Sequence, residues 1–120
     1  MPGPGVATVR YEDVIKVMST ALEASRVLRA SPGQLRGLHV FSSKGSAQYI
    51  LIMDSATVPA DGAVTLLYPP IPIAANQLLL LDFLCPLVAA TGIAVCNSST
   101  GSFTKTIGAA DCVFLGKVRP

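Results

Sequence analysis

Tryptophan is missing from this 120-residue chain, and histidine occurs once, as His39. Without Trp, an immunoglobulin-type sandwich lacks the ring that packs on its strand-bridging disulfide. A lone imidazole rules out a metal centre built on several histidines, and His39, mid-strand among apolar neighbours, reads as a structural residue. Cys85, Cys96 and Cys112 lack the paired spacing of a zinc site. Charge is scarce as well: Asp, Glu, Lys and Arg make up 13% of the chain, about half the usual share. The net charge of +2 comes with nine Lys and Arg that form no cluster, so nucleic acid is not an expected partner.

An unbroken membrane-spanning run is also lacking. Residues 78–96 are apolar enough in sum, but Asp82 and Pro86 interrupt them and no basic flank follows. The N-terminus, MPGPGVATVRYEDV, has neither the charged start nor the apolar core of a signal peptide, so synthesis in the cytoplasm is the expectation. Between Asp61 and Lys105 the single charged side chain is Asp82. One small domain cannot cover so long an apolar segment on every face, which points to companion subunits.

What is present is β-forming sequence. The length suits one domain. Residues 1–20 read as an N-terminal arm, with two prolines and two glycines near its start and one or two helical turns over residues 11–18. Residues 21–120 read as the folded domain. Strands are expected at residues 25–30 and 34–42, joined into a hairpin by Ser31-Pro32-Gly33, whose Pro and Gly suit a type II turn. In QYILIMD, Tyr49, Leu51 and Met53 share one face and Ile50 and Ile52 the other, the pattern of a central strand packed on both sides. A loop, SATVPADG, follows. Residues 64–68 resume a strand that Pro69, Pro70 and Pro72 end, which places residues 70–73 at a sheet edge. Residues 78–83 form a further strand. Residues 87–90 lead into a closing hairpin over residues 91–114, its turn near Thr104, with Cys96 opposite Cys112 and Val95 opposite Val113. Seven or eight short strands with turns every eight to twelve residues indicate an all-β, single-domain antiparallel β-sandwich, jelly-roll-like, with an extended N-terminal arm.

Chemistry is hard to find. Cys96 and Cys112 are either a cross-strand disulfide or, in a reducing cytosol, two free thiols, and Cys85 reads as a small buried hydrophobe. Glu12 and Asp13 read as a solvated pair. Asp54 and Asp61 bracket a loop that they cap or use as a weak cation site. Asp82, among leucines, accepts hydrogen bonds from a turn or pairs with an arginine of a neighbouring subunit. The hydroxyls of NSSTGS have no base beside them. No catalytic residue, metal or cofactor is expected, and the chain reads as a non-enzyme.

The string LRGLHVFSSKGSAQYILIMDSATVPADGAV, continuing through LLLLDF to TGIAVCNSSTGSFTKTIGAADCVF, resembles small β-sandwich virion structural proteins of tailed bacteriophages. SAQYILIMD with PADGAV, and TGIAVCNSST with KTIGAADC, carry most of the likeness, over roughly residues 21–115. The resemblance implies a capsid cement or decoration protein. It would be made in the host cytoplasm, sit on the capsid exterior, bind the major capsid protein and associate with itself as a dimer or trimer. A receptor- or glycan-binding module of a head fibre or tail appendage is the alternative. The absence of Trp and the seven aromatics in all argue against a sugar site. Candidate contacts are Val6, Val9 and Tyr11 in the arm, Arg26, Arg29 and Arg36, and the apolar edge at Pro69, Pro70, Ile71 and Ile73.

Overall fold

Ten strands, and no helix, make up a computed structural model that describes residues 14–120. In chain order they are β1 (Ile15–Met18), β2 (Ser25–Arg29), β3 (Gly33–Ser42), β4 (Gln48–Asp54), β5 (Gly62–Ala63), β6 (Ile71–Ile73), β7 (Leu78–Ala89), β8 (Ile93–Ser98), β9 (Thr104–Lys105) and β10 (Cys112–Arg119). Two four-stranded antiparallel sheets carry the fold, ordered β1-β10-β3-β7 and β2-β8-β4-β6, and β5 pairs with β9 as a separate ribbon. Of the eight strands in these two sheets, the first pairs with the last, the second with the seventh, the third with the sixth and the fourth with the fifth. That nesting is a long hairpin, with β4 and β6 paired at its tip, rolled up so that the strands of each arm alternate between sheets, which defines a jelly roll.

Period-2 alternation explains what the sheets bury. Ile50 and Ile52 of β4, Ile93 and Val95 of β8, Leu38 and Val40 of β3, and Phe114 and Val118 of β10 meet between the sheets as one core. Leu28 of β2 lies against Gly116 of β10 so closely that a Cβ there would stand 2.5 Å from its Cδ1, so a larger residue would force the buried Leu28 side chain to move. Leu35 joins this core although its spacing from Leu38 puts it on the opposite face of a regular strand. The ladder register shifts around Arg36, against both β10 and β7, and this bulge turns Leu35 inward.

Two expected hairpins are not formed. β2 and β3 are strands, as the sequence indicates, but they lie in different sheets, and the Ser31-Pro32-Gly33 turn carries the chain across the sandwich. Residues 91–114 split likewise: β8 pairs with β2 and β4, and β10 with β1 and β3. Cys96 therefore faces Ser25 and Leu51, whereas Cys112 faces Ser42. Local pairing is the usual outcome for successive strands, but the rolled topology overrides it. Residues 15–18, within the expected arm and its helical turns, are a strand in the first sheet. The expected strand at residues 64–68 amounts to one bridge, Leu66 to Met53, before Pro69 and Pro70 bend the chain away. β6 takes the edge position expected for residues 70–73. Residues 78–83 and 87–90 join into one long β7, with residues 83–86 bulged out opposite Arg36.

The closing turn near Thr104 exists in a smaller form. Thr104 N–H donates to Gly101 O at 3.2 Å, with Ser102 and Phe103 both left-handed at φ 56° and 62°. Two positive φ values make a type I′ turn, which favours Asn-Gly, whereas Ser-Phe holds it under strain. Replacing Ser102-Phe103 by Asn-Gly is expected to stabilise the protein by about 1–2 kcal/mol in denaturant unfolding. An unchanged or lower midpoint would show that the turn is unstrained.

Candidate functional site

The polar groups weighed as candidate sites make their contacts within the fold. Asp54 accepts backbone N–H bonds from Ala90, Thr91 and Gly92 at 2.9–3.3 Å, capping the turn between β7 and β8. Burial opposes its ionisation, but the three N–H donors outweigh burial and hold its carboxyl below the usual range. Asp61 pairs with Lys105 at 2.7 Å and accepts the Ile107 N–H at 3.1 Å; the lysine contact is the main reason its carboxyl is also held low. Asp82 pairs with Lys117 of its own chain at 3.3 Å. Ser98 Oγ donates to Thr100 O at 2.7 Å and accepts from the Thr106 N–H at 2.9 Å, so this hydroxyl shapes the loop.

A buried amide cluster fastens the crossing into β10. Asn97 Nδ2 donates to Ala109 O at 2.7 Å and to Asp111 Oδ1 at 2.9 Å, and its Oδ1 accepts the Gly108 N–H at 3.0 Å. Gln48 Nε2 donates to Ser42 Oγ at 2.9 Å and Asp111 Oδ1 at 3.1 Å. These acceptors fix the amide's orientation and leave Gln48 Oε1 without a partner among the described residues.

The cysteines are free. Cys112 lies in the core between the sheets, while Cys96 packs with Leu51, Met53 and Ala94 on the outer side of β8, so the expected pair points to opposite faces. Burial pushes the Cys96 thiol up to about 11. Burial, reinforced by the Asp111 carboxylate, pushes Cys112 to about 12. Cys85, expected to be buried, is exposed on the β7 bulge. No three His, Cys, Asp or Glu converge among the described residues.

The candidate arginines and prolines scatter. Arg26 pairs with Glu23 on the second sheet, Arg29 donates to Pro32 O at 2.8 Å, and Arg36 is half-buried at the bulge. Pro69 is exposed and Pro70 half-buried, but Ile71 and Ile73 point into the core and are unfit as outside contacts. Alternation decides this: β6 turns Pro72 outward and both isoleucines in. Val6, Val9 and Tyr11, with Glu12 and Asp13, lie outside the described residues.

What the sequence did not single out is the contrast between the two outer faces. On the second sheet Leu51, Met53, Ala94 and Cys96 are fully buried, roofed by Val58, Val64 and Leu66 from the segment after β4. On the first sheet the ladder aligns Met18, Leu115, His39 and Leu80 in one outward row and Val113, Phe41 and Leu78 in the next. Met18, Leu78 and Leu80 are each 57–59% exposed, and no described segment roofs them. A neighbouring row holds Lys16, Lys117 and Asp82, a charged margin to the apolar field. Beyond it Leu84 stands 98% exposed on the bulge and Val88 70%. Each half-exposed Leu or Phe has on the order of 2 kcal/mol still to gain from cover, so the field suits contact with another macromolecule. The runs LHVF and LLLLD carried the signal, but which of their faces is roofed depends on a distant loop.

No protein-family model matches the chain, and comparison with curated proteins and with solved structures likewise finds no match.

Two measurements check this account. A thiol reagent applied to native protein should modify Cys85 alone, with Cys96 and Cys112 reacting only on unfolding; fast modification of all three would contradict the burial. Asp54, its folded pKa below the unfolded value, stabilises the protein above the unfolded pKa of about 4, and that contribution fades as pH falls through the folded value. Asp54→Asn should therefore lower Tm by roughly 2–6 °C at pH 7 and by less in acid. An equal loss at both pH values would place the effect elsewhere.

Proposed function

We propose that this chain is a non-enzymatic structural protein of a phage virion, a cement or decoration protein that fastens to the capsid exterior. In this reading the bare outer face of the first sheet meets the major capsid protein. The observation that carries it is the unequal covering: one sheet is roofed by its own chain, while the other presents two rows of apolar side chains. Attachment of this kind needs area and shape but no reaction, in keeping with carboxylates and thiols engaged in the fold. The jelly roll serves viral capsid proteins and also lectins and cupins, so the fold admits the reading without selecting it. The likeness of SAQYILIMD and TGIAVCNSST to phage virion proteins adds the context.

Cosedimentation with empty shells of the phage that carries the gene tests the proposal. Wild-type protein should bind to saturation, and Phe41→Lys or Leu115→Lys should weaken binding at least tenfold while leaving the circular dichroism melt near that of the wild type. Absence of binding, binding indifferent to both substitutions, or specific capture on a glycan array would overturn it.

A further inference from the structure

Four strands form the outer edges of the two sheets, and three are blunted. β1 has four residues and an exposed lysine, Lys16. β6 has three residues with Pro72 at the centre. β2 has five residues, two of them arginines, and its register against β8 breaks between Val27 and Arg29. Short length, charge, proline and bulges are the usual guards against edge-to-edge pairing. The fourth edge, β7, runs for 12 residues, and its first five, Leu78 to Asp82, hold no proline or register break before the chain bulges at residues 83–86; their one charge, Asp82, stands at the end of the segment and is paired with Lys117.

The hydrogen-bond phase of this segment is set. Ser42 N–H donates to Gln77 O at 2.9 Å, in register with the β3 ladder. In an antiparallel pair alternate residues bond the same neighbour, so Leu79 and Leu81 also bond β3. Leu78, Leu80 and Asp82 turn their N–H and C=O outward, and no backbone hydrogen bond among the described residues reaches them. These same residues place their side chains on the bare outer face.

We propose that the open edge of β7 pairs with the same edge of a second copy of this chain, antiparallel about a two-fold axis at Leu80. The flat segment is symmetric about Leu80, and this register alone lets all three outward residues bond: Leu80 opposite Leu80 and Leu78 opposite Asp82. The two Asp82 carboxylates then stand four residues apart, roughly 13 Å, beyond the screening length of about 8 Å. Each keeps its own Lys117 at 3.3 Å, so like charges do not oppose closure. Leu84, 98% exposed just past the segment, comes over the start of the other copy's β7 and gains cover. A contact centred on five residues a side is a small one, which suits a dimer that dissociates in the micromolar range. Its use, though not its existence, rests on the shell-docking reading: the two first sheets become one eight-stranded sheet with a doubled apolar face.

Sedimentation velocity of the purified chain over a hundredfold range of concentration, with no shell present, tests the pairing. The wild type should pass from monomer to dimer. Leu80→Pro removes an outward N–H without touching the β3 ladder, and together with Leu80→Lys it should raise the dissociation constant at least tenfold. Hydrogen exchange on the wild type covers the case in which either variant fails to fold: the Leu78, Leu80 and Asp82 amides should gain protection as concentration rises. A monomer throughout overturns the proposal, as does a dimer whose Leu80 amide exchanges freely. Protection of these amides in the monomer would do the same, since it would mean that residues 1–13 or another part of the chain fills the edge. Loss of shell binding with the dimer intact would count against the proposed function alone.

Discussion

Two strands at the centre of the second sheet, β4 and β8, are apolar on both faces, and the other features follow from covering them twice. Ile50, Ile52, Ile93 and Val95 need the opposing sheet, while Leu51, Met53, Ala94 and Cys96 need a roof on the far side. The chain supplies that roof from the segment after β4, fastened by the β5–β9 ribbon and by the Asp61–Lys105 pair. Lys105 is itself buried, and its ammonium reaches Asp61 at the rim. No comparable segment is left for the first sheet among the described residues. Its outer face keeps Phe41, Leu78, Leu80 and Met18 in solvent. The asymmetry of the sandwich is thus a consequence of where one loop was placed.

Polar groups are used where the chain changes sheets. Asp54 ties the turn that leads from β7 in the first sheet to β8 in the second. Asn97, Gln48, Ser42 and Asp111 tie the return into β10, each bond short and mostly buried. Such crossings expose backbone groups that neither sheet can pair: the Asp54 carboxylate takes three N–H groups, and the Asn97 amide accepts one N–H and donates to one carbonyl. The same cluster bears on Cys112: burial, with the Asp111 carboxylate adding to it, raises this thiol.

The proposed function works through surface. Its described carboxylates and thiols sit in structural contacts or out alone, while its largest unsatisfied demand is apolar area on one sheet together with an unpaired strand edge beside it. The demand is adjacent and continuous, since Leu78 and Leu80 belong both to the face and to the edge. Partner choice would then turn on shape and on the charged margin of Lys16, Lys117 and Asp82.

Strand content was legible in the residues themselves. QYILIMD alternates with two apolar faces and is the two-sided strand that pattern demands, and the prolines at 69, 70 and 72 mark an edge because proline cannot donate to a ladder. The β-sandwich class followed from strand number and turn spacing alone. Pairing did not, because alternation records which residues share a face and holds nothing about which strand lies alongside; hence Cys96 and Cys112, plausible neighbours across a local hairpin, end in different sheets, Cys112 between the sheets and Cys96 on an outer face. Exposure was illegible for the same reason: ILIM at residues 50–53 and LLLL at residues 78–81 are both wholly apolar, and only the roof over one and the open edge beside the other separate a core from a contact surface. Local periodicity therefore determined the elements, and long-range packing decided which of them still need a partner.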